Sequence, residues 1–154
     1  MNIKTTILFV LLLIQTTFVG AADQDDVVGF WLSESKKGVI EISRNGDEYE
    51  GKIVWIKDIY EKKVEQQLDS NNPNDLLKKR ALLGLQNLKG FKFKQSKWQG
   101  GTVYDPQKGK TYSSYLYMSD INTLKLRGFV GVALFGRTST MTRQQSAVPD
   151  SYLQ

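Results

Sequence analysis

The sequence contains neither cysteine nor histidine. Without cysteine no disulfide forms, so the fold depends on its core alone. The two absences also exclude cysteine and serine–histidine nucleophile arrangements, an imidazole general base and nearly all zinc or copper sites. Any catalysis would have to use carboxylates, lysine, arginine or tyrosine. We therefore predict no catalytic residue, no metal site and no cofactor.

The chain also lacks a block of charge of one sign. Its 21 lysines and arginines and 16 aspartates and glutamates are interspersed along the sequence, giving a net charge of +5. A mild, scattered excess of positive charge is typical of a solvated surface, whereas nucleic-acid-binding domains concentrate it on one face. We predict that the protein does not bind nucleic acid.

The one long apolar run lies near the N-terminus. Lys4 precedes the apolar residues Ile7–Ile14, and the small residues Gly20-Ala21-Ala22 follow before Asp23. This order is typical of a secretory signal peptide, and the run is too short to span a membrane. We expect residues 1–22 to be removed, leaving an exported protein, periplasmic or secreted, with no transmembrane span. An uncleaved anchor is the alternative.

After residue 22 the sequence has the pattern of short strands joined by tight turns. Ile40 and Ile42 alternate with polar neighbours, and Asn45-Gly46 is a strong hairpin signal. The hairpin of Trp98–Asp105 with Lys110–Ser119 is the strongest pattern in the chain. The other predicted strands are Gly29 to about Ser35, Val39–Ser43, Tyr49–Lys57, Leu85–Lys94, Thr123–Val130 and Gly136–Arg143.

Between the third and fourth strands the alternation stops. Asn72 is a good N-cap, Pro73 suits the first helical position, and Asp75 can complete a capping box. We predict a short helix from Pro73 to about Arg80, with Leu76 and Leu77 facing inward. We also expect this excursion to cover one end of the fold.

The pattern thus predicts an all-β domain over residues 23–143, followed by a flexible tail over 144–154. About eight antiparallel strands joined mostly by short turns close most easily into an up-and-down barrel, which leaves no exposed edge. Such a barrel is filled by side chains or holds one small ligand. A two-sheet sandwich is the competing architecture.

Several motifs resemble, in order, the family named domain of unknown function 2147, a group of small exported bacterial proteins. They are Gly29-Phe30-Trp31, Gly51-Lys52-Ile53-Val54-Trp55, Asp69 with Asn72-Pro73, Leu82-Leu83-Gly84-Leu85, Trp98-x-Gly100-Gly101-x-Val103-Tyr104-Asp105-Pro106 with Gly109-Lys110-Thr111-Tyr112, Leu126-Arg127-Gly128-Phe129-Val130-Gly131, and Phe135-Gly136-Arg137-Thr138. The resemblance covers Gly29 to Arg143. It implies export and a barrel, and it supplies no catalytic residue.

Two details refine this resemblance. The family usually has tryptophan where this chain has Met141, which replaces an aromatic with a flexible thioether. A looser similarity to lipocalins rests on the Gly-x-Trp sequence ending at Trp31. It implies an arginine, Arg143 or Arg127, packed over that indole at the base of the barrel.

Five residues are candidate ligand contacts: Trp55, Trp98, Tyr104, Asp105 and Arg127. Trp55 shares a predicted face with Ile53, which favours packing, and Trp98 is placed either in the core or at a cavity mouth. Asp105 before proline is first a turn residue. Arg127 needs a carboxylate or an anionic ligand if it points inward, and is ordinary surface if it points outward.

The leading functional hypothesis is a non-catalytic module that binds a small apolar or amphipathic molecule. The alternative is an interaction or structural protein that contacts an envelope protein through its surface or the helical excursion. That alternative predicts exposed apolar side chains over Pro73–Leu85. A third hypothesis, an enzyme pairing Asp105 with Asp69 or Glu50, lacks a second carboxylate that the sequence places nearby. The Asp69–Asp75 segment lacks the glycine and distal glutamate of a calcium loop.

Overall fold

A computed structural model describes residues 22–153. The predicted signal peptide, residues 1–22, lies outside the described residues except for Ala22. The strands are β1 (Gly29–Leu32), β2 (Gly38–Asn45), β3 (Glu48–Ile56), β4 (Gln86–Lys94), β5 (Lys97–Asp105), β6 (Lys110–Asp120), β7 (Thr123–Phe129) and β8 (Arg137–Gln144). One α-helix, α1 (Lys57–Lys62), follows β3, and 3₁₀ turns lie at Asp75–Leu77, Ala133–Phe135 and Asp150–Tyr152.

The eight strands form one closed antiparallel barrel in sequence order. Every strand pairs with its neighbour in the chain, and β8 pairs with β1 through Trp31 opposite Arg143. The prediction of an eight-stranded up-and-down barrel is confirmed, and the sandwich is excluded. Closure pairs the backbone of all eight strands and leaves no edge open to other chains.

Large side chains fill the half of the barrel where β1 begins, which we call the closed end. Trp31, Trp98 and Leu116 are fully buried there, with Tyr49 and Phe91 almost so. Gly101 lies against the Phe91 ring so closely that a Cβ on it would overlap the ring carbons. A glycine in β5 therefore makes room for an aromatic from β4.

The N-terminal segment seals this end. Trp31 donates its indole N–H to the carbonyl of Val27 at 2.8 Å. The Arg143 guanidinium lies 4.2 Å from the Trp31 ring centre and donates to the carbonyls of Val28, Asp26 and Ile121. The predicted arginine–tryptophan contact at the barrel base is confirmed, with Arg143 as its partner. Met141 is buried in the same core.

The excursion between β3 and β4 differs from its prediction. A short helix is present, but it is α1 at Lys57–Lys62, where the sequence shows no clean apolar period. The predicted helix from Pro73 to Arg80 is wrong, because only the 3₁₀ turn Asp75–Leu77 forms, capped by the side chain of Asn74. Leu76 is 88% exposed and does not face inward. Salt bridges one turn apart support α1 at its surface.

The segment after β8 packs on the outside of the barrel. Pro149 is fully buried, and the Tyr152 ring lies 5.2 Å from those of Trp55 and Tyr60. The prediction of a flexible tail over 144–154 did not anticipate these contacts. Within residues 22–153, no helix is long and apolar enough to cross a membrane.

Candidate functional site

The end of the barrel opposite the closed end contains a cavity of about 270 Å³. We call it the open end. Here the turn after β1, the excursion after β3 and the β5–β6 turn meet. Its wall residues are Gly38, Ile40, Ile53, Ile56, Leu82 and Asn87, and its rim residues are Ser33, Ser35, Lys37, Asp58, Gln67, Asp105, Pro106 and Gln107.

The cavity exists because bulky and small interior residues are distributed unevenly along the barrel. Tryptophan, tyrosine and phenylalanine side chains occupy the closed half. The walls of the open-end cavity are instead formed by aliphatic side chains, those of Ile40, Ile53, Ile56 and Leu82. Apolar walls with a few polar groups are characteristic of sites for small organic molecules.

One polar side chain in the wall has no partner. Asn87 is only 6% exposed, and its Oδ1 forms no hydrogen bond within residues 22–153. A register shift places Asn87 between the pairs Gly51–Leu88 and Lys52–Gln86, so that two consecutive residues of β4 are buried. Such β-bulges redirect side chains. A buried acceptor without a donor is costly, and a ligand or water donor in the cavity would satisfy it.

The rim carries charges of both signs. Lys37, Asp58 and Asp105 surround the opening. Gln67 donates to the carboxylate of Asp58 at 3.1 Å. That hydrogen bond, with the help of Lys62, lowers the pKa of Asp58 below its ordinary value, so this carboxylate is ionised at neutral pH. An apolar interior with a charged rim suits a molecule with an apolar body and a polar end.

A buried polar cluster holds the excursion against the barrel. We call Asp69, Asn72, Arg80 and Tyr104 the Asp69 cluster. The fully buried Asp69 carboxylate accepts from the Tyr104 hydroxyl at 2.6 Å, from Asn72 Nδ2 at 2.7 Å and from Arg80 Nε at 2.8 Å. Burial alone would raise the pKa of Asp69, but these hydrogen bonds and the Arg80 charge outweigh it and the pKa is lowered.

The β5–β6 turn is fastened to the same excursion. Asn71 donates to the carbonyl of Gln107 at 3.0 Å, and Asn72 donates to the Tyr104 hydroxyl at 3.0 Å. Gly109 has a φ of +62°, and a Cβ on it would collide with the carbonyl of Asn71. The motif residues of the excursion and of the β5–β6 hairpin therefore meet at one junction beside the cavity rim.

The structure separates the five predicted contact residues. Asp105 lies on the cavity rim, where its Oδ1 also accepts from Gln107 N at 3.0 Å as a turn residue does. Tyr104 belongs to the Asp69 cluster rather than to the cavity wall. Trp98 is fully buried at the closed end, where its indole donates to the carbonyl of Gln24 at 2.9 Å.

Trp55 and Arg127 lie outside the barrel lumen. Trp55 pairs with Val39, and Val39 pairs with Leu32 of β1. A register shift at Val39/Ile40 breaks the alternation that put Trp55 and Ile53 on one predicted face. Arg127 alternates with the core residues Leu124 and Leu126. Its guanidinium faces outward, bound to the carbonyls of Ala133 and Leu134 at 2.8 and 3.0 Å.

Sequence reasoning missed Asn87, which carries the most specific feature of the cavity. Its neighbour Leu88 gives the apolar signal of β4, and simple alternation would place Asn87 on the outer face. Only the bulge turns both inward. The sequence predicts Ile40 on one face of its strand with Ile42, and Ile53 on one face of the next strand with Trp55. It does not show that the space between Ile40 and Ile53 is open.

Across residues 22–153, no three carboxylate side chains lie close enough together to hold a metal ion. The carboxylates of the open end are separated or already paired.

Comparison with known proteins agrees with this architecture. The model of domain of unknown function 2147, described as an uncharacterized protein conserved in bacteria, matches residues 29–143. A solved structure from Helicobacter pylori, described as belonging to the lipocalin family, is similar with a TM-score of 0.66 and 20% sequence identity. The match covers 82% of this chain and 85% of that chain. No protein with a curated description matches.

Proposed function

The chain belongs to the family domain of unknown function 2147, and we propose that it binds a small apolar or amphipathic molecule in the cavity at the open end of its barrel. The observation that carries the proposal is the cavity itself, about 270 Å³ with an unpaired acceptor, Asn87 Oδ1, in its wall. The described lipocalin-family neighbour shares the barrel and supports this reading through the fold.

The shape of the cavity indicates the kind of ligand. Its volume of about 270 Å³ lies just below the range that is typical of small-molecule sites, about 300–1,000 Å³. Such a space suits a small molecule, or the end of a longer chain that extends past the rim. The ligand should present a hydrogen-bond donor to Asn87 and apolar surface to Ile40 and Ile53, with its polar end near Lys37 and Asp58.

The test is binding of an environment-sensitive fluorescent amphiphile, 8-anilinonaphthalene-1-sulfonate, to the full chain and two variants. Ile53→Trp fills the cavity and should abolish the fluorescence increase. Asn87→Leu keeps the volume and removes the acceptor. It should preserve binding of this probe and weaken competing ligands that carry a donor by about tenfold.

Leu76→Trp is the matched control, because it adds the same indole on a side chain that is 88% exposed. It should bind the probe as the natural chain does. Equal binding by the Ile53→Trp and Leu76→Trp variants would reject the cavity as the site.

We further propose that the protein is exported and that its mature form begins at Asp23. The support comes from the sequence. The apolar run and the small residues before Asp23 have the order of a signal peptide. The mass of the protein purified from the periplasm tests the boundary, and an uncleaved mass would reject it.

A second function, contact with an envelope partner, has one observation in its favour. Leu76 is 88% exposed and Leu83 is 45% exposed within the segment Pro73–Leu85. An interaction of this kind would be weakened by Leu76→Ser with the probe binding of the cavity unchanged.

A further inference from the structure

A second apolar feature of the open end lies in the connection between β7 and β8. We call residues 130–135 the apolar loop. Four of its side chains are exposed: Val130 by 76%, Val132 by 58%, Leu134 by 79% and Phe135 by 81%. These side chains share one short loop, whereas exposed apolar residues on ordinary surfaces are scattered singly.

The apolar loop is held firmly from behind. Arg127 donates to the carbonyls of Ala133 and Leu134 at 2.8 and 3.0 Å, and to Thr138 Oγ1 at 2.9 Å. Within the loop, Phe135 N donates to the carbonyl of Val132 at 3.3 Å. These bonds satisfy polar backbone groups on the barrel side of the apolar loop. The exposed side chains can therefore enter an apolar phase without leaving those backbone groups unpaired.

Basic side chains outnumber carboxylates in the strands that carry the apolar loop. Residues 106–149 contain six lysines and arginines and one carboxylate, Asp120. Of the basic residues, Arg143 lies at the closed end, and Lys110 pairs with Asp105 across the β5–β6 hairpin. Asp120 ends β6 at the closed end, away from the loop. Lys110 at the start of β6 and Arg137 at the start of β8 are exposed beside the base of the loop. An apolar tip above basic side chains is complementary to acyl chains beneath anionic headgroups.

The size of the apolar loop favours a lipid surface over a protein as its binding partner. A typical stable protein interface uses about 20–30 residues on each side. The apolar loop offers four side chains, which is too few for that but sufficient for reversible insertion into a bilayer.

From these observations we propose that the apolar loop docks the open end of the barrel on an anionic lipid surface. Val130, Val132, Leu134 and Phe135 enter the headgroup–acyl boundary, and Lys110 and Arg137 contact lipid phosphates. The opening of the barrel then faces the lipid. This proposal does not depend on ligand binding in the cavity.

The test is co-sedimentation of the full chain, in the processed form that the cell yields, with vesicles of phosphatidylcholine mixed with phosphatidylglycerol. The double variant Leu134→Ser/Phe135→Ser should lower the affinity by at least about tenfold, because two apolar side chains no longer insert. Ile121→Ser is the matched control. It removes an apolar side chain that is 58% exposed at the closed end, and it should bind as the natural chain does.

Two further measurements separate the electrostatic contribution to vesicle binding from the insertion of apolar side chains. Vesicles of phosphatidylcholine alone should bind more weakly, and added salt should weaken binding to the mixed vesicles. In a Phe135→Trp variant the new indole should shift its emission to the blue on mixed vesicles, since the three natural tryptophans are already buried.

Equal binding by the double variant and the Ile121→Ser control, or no emission shift in Phe135→Trp, would overturn the proposal. So would a natural chain that self-associates in solution and loses this association in the double variant. In that case the loop would be an interface between copies. Unchanged probe binding in the cavity of the double variant is expected, which separates failure of this proposal from failure of the ligand site.

Discussion

Replacing Tyr104 with phenylalanine removes one hydroxyl group from the Asp69 cluster and leaves the ring in place. In the natural chain this hydroxyl donates to Asp69 Oδ1 at 2.6 Å and accepts from Asn72 Nδ2 at 3.0 Å. The variant keeps the Arg80 guanidinium 5.2 Å from the ring centre. The carboxylate retains its bonds to Arg80 and Asn72 but loses its closest donor.

The expected loss in the free energy of unfolding follows from the burial of Asp69, whose side chain is fully inaccessible to solvent. A hydrogen bond to a charged group contributes about 1.5–3 kcal/mol, and a buried acceptor that loses its donor stays desolvated. We expect Tyr104→Phe to lower the free energy of unfolding by about 2 kcal/mol. For a domain of this size that corresponds to a decrease in Tm of roughly 6 °C.

The assay is urea unfolding followed by tryptophan fluorescence, with Tyr115→Phe as the matched control. Tyr115 lies on the outer face of β6, and its hydroxyl makes no hydrogen bond within residues 22–153. Its variant should change stability by less than about 0.5 kcal/mol. A loss below about 0.5 kcal/mol for Tyr104→Phe as well would mean that the Asp69 cluster does not fasten the excursion to the barrel.

The pH dependence gives a second check on the same cluster. The folded pKa of Asp69 is lowered, so its stabilising contribution is complete above the ordinary aspartate value of 3.8 and is lost as pH falls through the folded pKa. Burial and the hydrogen bond to Asp69 raise the pKa of Tyr104 above 10.0, so its contribution is complete below pH 10.0 and is lost above the folded pKa. The stability difference between the natural chain and Tyr104→Phe should therefore be constant near neutral pH and shrink at both extremes.

Three further substitutions test other parts of the fold by the same unfolding assay. Gly109→Ala adds strain at positive φ and a collision with the excursion, so it should cost more than about 2 kcal/mol, whereas Gly46→Ala, with positive φ and open space, should cost about 1 kcal/mol. Arg143→Met removes three backbone hydrogen bonds and the cation–π contact at the closed end, and should cost about 3 kcal/mol; a loss under 1 kcal/mol would contradict this role. Tyr152→Ala uncovers Trp55, so tryptophan emission should shift to the red and iodide quenching should rise; unchanged spectra would mean that the C-terminal segment does not cover it.

The barrel was predictable because each strand can be recognised from its own residues and from the turn that follows it. Alternation through Ile40 and Ile42, hairpin chemistry at Asn45-Gly46 and regular short connections act within a few residues, and together they left closure as the best way to avoid open edges. The Gly-x-Trp start at Trp31 likewise led to its arginine partner. The alternation and the hairpin signal each depend on a few neighbouring residues, and the Gly-x-Trp sequence is a short motif at the start of the first strand.

The site was less predictable because it depends on irregularities. The bulge that turns Asn87 inward, and the register shift that turns Trp55 outward, are set by packing between strands rather than by either strand's own sequence. The Asn72-Pro73 pair looked like a helix start because capping chemistry is local. The side chain of Asn72 instead serves the buried Asp69, a partner that only the folded chain brings close.

Native mass spectrometry of protein purified gently from cells shows whether the open-end cavity holds a small molecule. We expect an extra mass that is lost on denaturation, present in the natural chain and in Leu76→Trp, and absent from Ile53→Trp. An adduct that Ile53→Trp retains in full, or no adduct together with no binding of the fluorescent probe, would mean that the cavity is not a ligand site.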